Sequence, residues 1–209
     1  LLIQPLPSPK SDHPNKPGFH VRSCKSNDGD RKYTVYIPQD YDGSKPFPVV
    51  LFLHGSGERG SDGIMSAQVG LGPAILNRPG GWPVIGIFPQ ARETWAGGSA
   101  DSKAAIAALD DVVAHYQTDP TRIYLTGLSM GGMGTWDLAA RSKGRFAAIV
   151  PICGPANTSS LVELASTPTW AFVGDADSNP LHIGMRLTIE ALRSMGGSPR
   201  YTEYRNVNH

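Results

Sequence analysis

Residues 122–136 read RIYLTGLSMGGMGTW. The apolar, β-branched opening of this stretch predicts a strand over 122–126, and the run after it predicts a helix over 132–143. Gly127-Leu128-Ser129-Met130-Gly131 therefore falls on a strand-to-helix turn, which is the context that gives the G-x-S-x-G pattern its meaning. A serine at such a turn sits in a strained backbone conformation, and the glycines remove side chains that would collide as strand and helix close together. The hydroxyl is thereby presented at the carboxyl edge of a sheet. The plain alternative, a tight glycine turn with an ordinary serine, leaves the flanking strand and helix without a purpose. A phosphate-binding reading lacks both G-x-G-x-x-G and the lysine of a phosphate loop.

Outward from this turn the chain alternates between strands and helices. Residues 19–25 and 32–37 are β-rich and separated by Ser26-Asn27-Asp28-Gly29-Asp30, a turn-forming cluster, so they read as an antiparallel hairpin of edge strands. The nearly unbroken apolar run FPVVLFL at 47–53 reads as a strand buried on both faces of a parallel sheet. Further strands are expected over 84–88, 146–152, 169–173 and 200–207. Helices are expected over 101–117, with Ile106, Leu109, Val113 and Tyr116 at helical spacing, and over 182–195. The alternation predicts an α/β fold, a mostly parallel central sheet with an antiparallel N-terminal hairpin and helices on both faces. Residues 1–18, rich in Pro, Ser and Lys, read as a linker or trimmed segment, and 19–209 as a single catalytic domain without internal repeats.

Composition narrows the function classes. In 209 residues, a hydrophobic share of 40% suffices for one sizeable core. Lys and Arg number 19 against 18 Asp and Glu, a formal charge of +1, so no field of either sign would draw in nucleic acid or an anionic membrane. The longest apolar runs, 49–53 and 149–153, fall far short of the roughly 20 residues of a membrane-spanning helix. Cys24 and Cys153 show no CxxC spacing and are expected to be free thiols.

A serine needs a base to take its proton and a carboxylate to hold that base in the right tautomer. Only His182 and His209 follow Ser129 in the chain. His182 falls at the start of a helix, whereas His209 directly follows the last strand and its short exit, so His209 is the expected base. The loop after 169–173 offers Asp175 and Asp177; Asp177 is the expected acid, with Asp175 free to bond backbone amides of its own turn. The oxyanion of a tetrahedral intermediate needs donors, and the amides of Met130 and Ser56 are the expected pair, with Gly57 next in the glycine-rich loop 54–60. Gly57 and Trp95 are expected to contact substrate, Trp95 because it lies beyond the carboxyl end of a strand. Buried aromatic packing is the equal alternative for Trp95. His54 precedes the serine and is expected to bond locally and shape its loop. This chemistry requires no metal and no organic cofactor.

Taken together, LHGSGERG at 53–60, FPQ at 88–90, RIYLTGLSMGGMGTW at 122–136, WAFVGDADSNP at 170–180 and RYTEYRNVNH at 200–209 carry a resemblance. Over residues 33–209 the chain resembles bacterial α/β-hydrolases, carboxylesterases and predicted peptidases related to polyhydroxybutyrate depolymerases and to feruloyl and acetylxylan esterases. The resemblance implies the α/β-hydrolase fold, a triad of Ser129, Asp177 and His209, and secretion, with accessory modules in the full-length protein. Two departures stand out. Val173 occupies a position where relatives commonly have His, which is expected to alter packing only. The chain also stops at His209 where relatives continue into a terminal helix, so truncation after His209 is expected. The expected function is hydrolysis of short-chain or polysaccharide-linked carboxylic esters through a covalent acyl-enzyme. The expected partner is a small-molecule or polymer-linked ester, with no nucleic acid and no membrane. A serine peptidase of the same fold and a catalytically inactive binding module are the alternatives.

Overall fold

The computed structural model of the protein describes residues 15–209. The linker expected over 1–18 lies outside the described residues as far as residue 14, and by Gly18 the chain is already in strand β1 (Gly18–Ser26). The remaining strands are β2 (Gly29–Ile37), β3 (Phe47–Leu53), β4 (Ile85–Pro89), β5 (Thr118–Leu128), β6 (Ala148–Ile152), β7 (Trp170–Gly174) and β8 (Arg200–Tyr204). The helices are α1 (Leu71–Leu76), α2 (Ala100–His115), α3 (Met130–Arg141) and α4 (Asn179–Ser194). All eight strands join one sheet in the order β1-β2-β4-β3-β5-β6-β7-β8. The pairs β1–β2 and β2–β4 are antiparallel, and every pair from β4 to β8 is parallel.

The hairpin forms as expected, with Ser26 paired to Gly29 across the two residues Asn27 and Asp28. Gly29 takes φ +107°, which a side chain would resist. One expectation is corrected: β2 is not an edge strand. It is hydrogen-bonded to β1 on one side and β4 on the other, and Val35 and Ile37 are fully buried. Every residue from Tyr33 to Ile37 is buried, and the one polar member, Thr34, donates its hydroxyl to the Gly63 carbonyl.

Side chains alternate across the sheet and divide the core in two. On one face Val49, Leu51 and Leu53 of β3 belong to one continuous core with Leu109 and Val112 of α2, Trp136 of α3 and Ile189 of α4. On the other, Phe52 and Phe88 pack with Leu71 and Ile75 of α1. Helices thus cover both faces. Helix α1 was not foreseen, since six residues holding Gly72 and Pro73 show no readable helical period. Helix α4 starts at Asn179, ahead of the expected 182, because Pro180 sits in its first turn, where a missing N–H costs nothing.

After β3 the chain places β4 on one side and β5 on the other, so the strand order reverses between β3 and β5. In open α/β sheets, ligands bind at the carboxyl ends of the strands at such a reversal. Leu53 pairs with Gly127 there, which sets the loop after β3 beside the turn after β5. Backbone meets backbone at this point. A Cβ on Gly127 would lie 2.7 Å from the Leu53 carbonyl oxygen, and one on Gly131 would overlap that same carbonyl and lie 2.7 Å from the His54 oxygen. On the far side of α3, Gly132 abuts the Ile152 carbonyl and Gly154 the Ser129 carbonyl.

Overpacking a core typically costs about 1–3 kcal/mol, and a backbone carbonyl cannot rotate aside as a side chain does. Gly131→Ala is therefore expected to lose at least about 3 kcal/mol of unfolding free energy, read as a lower urea midpoint. An unchanged midpoint would show that the strand-helix contact is looser than described.

Candidate active site

Ser129 sits between β5 and α3 with φ 56° and ψ −119°. That left-handed conformation is rare for a residue with a Cβ. It is held by bonds on both sides: Ser129 N–H donates to the Ile152 carbonyl at 2.9 Å, and Met133 N–H donates to the Ser129 carbonyl at 3.0 Å. The side chain caps nothing. Its Oγ lies 2.8 Å from Nε2 of His209.

His209 Nδ1 is 2.8 Å from Asp177 Oδ2. A carboxylate only accepts, so Nδ1 carries the proton, and Nε2 presents its lone pair to the Ser129 hydroxyl. The Asp177 side chain is fully buried, and its second oxygen accepts the Ser178 N–H at 2.6 Å, while the His209 side chain is 43% exposed. Two loops meet to make this pair. Asp175 N–H donates to the Tyr204 carbonyl at 3.0 Å, and Ala176 N–H to the Val207 carbonyl at 3.1 Å. The Asp175 carboxylate accepts the Asn206 N–H at 2.6 Å, where Asn206 takes φ 57°. The Val207 carbonyl also presses on the Cα of Gly174, where no Cβ would fit. Asp175 was expected to bond its own turn; it instead pins the turn that delivers His209.

The loop after β3 lies against the serine. An ideal Cβ on Gly55 would be 3.6 Å from the Ser129 Cβ. Ser56 and Gly57 follow, both exposed, in a 3-10 turn (Ser56–Glu58). Met130 opens α3, and an amide in the first turn of a helix has no carbonyl partner within it. The amides of Ser56 and Met130 thus belong to the two segments that flank Ser129. His54 is fully buried. Its Nδ1 lies 2.6 Å from the Gly55 carbonyl and its Nε2 accepts the Ala91 N–H at 2.9 Å, so the ring is neutral with the proton on Nδ1. Burial pushes its pKa down.

One expected contact is corrected. Trp95 is only 1% exposed, donates from Nε1 to the His54 carbonyl at 3.0 Å and meets the His54 ring edge-on. It fills the core under the loop after β3 and lines no substrate surface, because Gly134 of α3 packs directly on its Cβ.

Comparison with known proteins agrees with this architecture. Residues 94–194, just under half of the chain, match the family model described as the prolyl oligopeptidase family. A protein of Nocardia uniformis subsp. tsuyamanensis named for an esterase activity, NocK, is 30% identical over 141 residues, covering 62% of this chain and 40% of its own. The Aspergillus niger protein named "Probable feruloyl esterase C" is 27% identical over 126 residues, 59% of this chain and 46% of its own. The solved structure of a thermostable esterase superposes with a TM-score of 0.75 at 27% identity, covering 90% of this chain and 55% of that one. The chain has the α/β-hydrolase fold. It spans less than half the length of those two curated relatives.

Three residues outside the expected set brace the site. Gln90 accepts the Gly63 N–H at 2.7 Å and donates to the Glu58 carbonyl at 3.0 Å, tying down the loop after β3. Asp101 accepts the amides of Arg92, Glu93 and Thr94 and pairs with the buried Arg31, which fixes the approach to Trp95. Burial alone would raise the Asp101 pKa, but these donors outweigh it and hold it below the usual carboxylate value. Asp175 is the third. FPQ and GDAD mark Gln90 and Asp175 in the sequence, but their partners lie on distant loops.

Asp175→Ala is expected to lower turnover about 10- to 100-fold with little change in KM, the scale of a misplacement of about 1 Å. Asp175→Asn keeps an oxygen acceptor for the Asn206 amide and is expected to stay near wild type; equal losses in both would assign the carboxylate a role by charge. For His54 the folded pKa is depressed, so the unfolded chain takes up a proton first as pH falls. Its stabilising contribution is complete above about pH 6.5 and is lost below it. Denaturant melts at pH 7.5 and 5.5 are expected to differ more for the wild type than for His54→Asn.

Proposed function

We propose that the protein is a carboxylic ester hydrolase acting through a covalent acyl-enzyme, with Ser129 as nucleophile, His209 as general base and Asp177 as the acid that orients it. The observation that carries this reading is the continuous bonding from Asp177 through His209 to Ser129, with 2.8 Å at each step. As Ser129 Oγ attacks the ester carbonyl carbon, its proton passes to Nε2 of His209. The carbonyl π electrons move to oxygen, where the amides of Met130 and Ser56 receive the charge. When the C–O bond to the alcohol breaks, His209 returns the proton to the departing oxygen. Water then gives a proton to His209, attacks the acyl-enzyme and releases the acid, and Ser129 recovers its proton. Asp177 stays ionised throughout and stabilises the imidazolium.

The names of the relatives support an ester as substrate: that of the Aspergillus protein supports an aromatic acyl group, and that of the Neocallimastix patriciarum acetylxylan esterase/xylanase a polysaccharide-linked one. Secretion fits such a substrate. No helix among the described residues is long and apolar enough to cross a membrane. The prolyl oligopeptidase match supports a second reading, amide hydrolysis at the same site. Matched ester and amide substrates separate the two, because an amide leaving group needs far more help from the acid.

Turnover of a p-nitrophenyl ester series is expected to be highest for short acyl chains. Ser129→Ala is expected to abolish it with the fold retained, and Asp177→Asn to lower kcat by about four orders of magnitude through the wrong tautomer. Full activity in a folded Ser129→Ala variant would overturn the assignment.

A further inference from the structure

Cys153 ends β6 and takes φ 41°, a left-handed conformation for a residue with a side chain. The turn is needed for Gly154 to slide under α3, and the Cys153 N–H donates to the Phe172 carbonyl at 2.8 Å. Nothing in that backbone geometry calls for a sulfur. Burial pushes the thiol pKa up, so near neutrality it is protonated and no rival nucleophile to Ser129. Yet Cys153 Sγ, a carboxylate oxygen of Asp177 and a ring nitrogen of His209 all lie within 4.8 Å of one another. They come from three separate segments: the end of β6, the loop after β7 and the turn after β8.

We propose that Cys153, Asp177 and His209 form an inhibitory site for zinc or a similar borderline-soft divalent cation. One thiolate, one carboxylate and one imidazole are donors of the type zinc takes in tetrahedral sites, with water as the fourth ligand. With Zn–S near ~2.3 Å and Zn–N and Zn–O near ~2.0 Å, the ligand atoms of a tetrahedron stand roughly 3.3–3.5 Å apart. The His209–Asp177 contact of 2.8 Å must open slightly, and the sulfur must close on the pair. His209 is the exposed member, and its side supplies both the entry path and the freedom to move.

The chemistry of the bound state follows from the ring nitrogens. Zinc displaces the thiol proton, which goes to solvent, and binds His209 at Nδ1, the nitrogen facing Asp177. The imidazole proton then resides on Nε2. In that tautomer the ring donates towards Ser129 and has no lone pair to accept its proton, so the metal removes the general base without occupying the serine. The inhibitory effect rests on the proposed esterase reading; the metal binding does not.

Two measurements on the same protein separate these claims. Titration with Co2+ is expected to give a thiolate-to-cobalt charge-transfer absorption in the wild type that is absent from Cys153→Ser. Zn2+ is expected to inhibit p-nitrophenyl acetate hydrolysis reversibly, with a chelator restoring the rate. In Cys153→Ser the half-inhibiting concentration should rise at least about tenfold, a loss seen on removing even an outer-shell partner, with metal-free turnover retained. Cys153→Ala serves as a second variant should the serine fail to fold. Equal zinc sensitivity in wild type and variant, or no cobalt band in the folded wild type, would overturn the site. A cobalt band in a protein without esterase activity would leave the site standing and sink the functional reading.

Discussion

The contact of the Leu53 carbonyl with the bare Cα atoms of Gly127 and Gly131 is the constraint on which the site depends. It lets the amino end of α3 press onto the carboxyl ends of β3 and β5, closer than any side chain would permit. With helix and strand this near, the connection between them has one residue in which to reverse, and Ser129 takes it at φ 56°. Strain of this kind costs on the order of 1–3 kcal/mol and persists only where the surroundings over-determine it. Here the bonds from Ser129 to Ile152 and from Met133 to Ser129 do so. The same approach lays Gly55 against Ser129, so one backbone contact positions both the hydroxyl and the loop beside it.

The second half of the site is held differently. His209 lies on a turn beyond the last strand, outside the hydrogen bonds of the sheet. Its placement comes from two amide bonds and one carboxylate bond made by Asp175 and Ala176, and from Gly174, which admits the Val207 carbonyl. Asp177 is buried while His209 remains open to solvent, so the carboxylate is shielded and the ring is accessible. Three residues within one four-residue stretch thus divide the work: Gly174 admits the loop, Asp175 anchors it and Asp177 binds the ring.

The sequence makes legible what is local. The strand-turn-helix around Ser129, the apolar run of β3 and the N-terminal hairpin each carry their signal within about twenty residues, and each is found. The order serine, acid, histidine along the chain led to the three side chains that the structure brings together. Contacts between distant segments were less readable. Trp95 allows both a ligand contact and buried packing on sequence, and what decides for burial is Gly134, some forty residues on. The hairpin reads as a pair of edge strands, but the pairing of β2 with β4 joins segments some fifty residues apart, which the local pattern does not carry. The anchoring by Asp175 and the nearness of Cys153 to the Asp177–His209 pair depend on how three loops converge, which no single stretch of sequence encodes.

The account stands or falls on whether Ser129 is activated by its surroundings. Incubation of the folded protein with a fluorophosphonate, followed by peptide mass analysis, tests this most directly. A single stoichiometric adduct on the peptide carrying Ser129, lost when the protein is first unfolded in urea, is the predicted result. No adduct in the folded protein, or an adduct on a different serine, would contradict it.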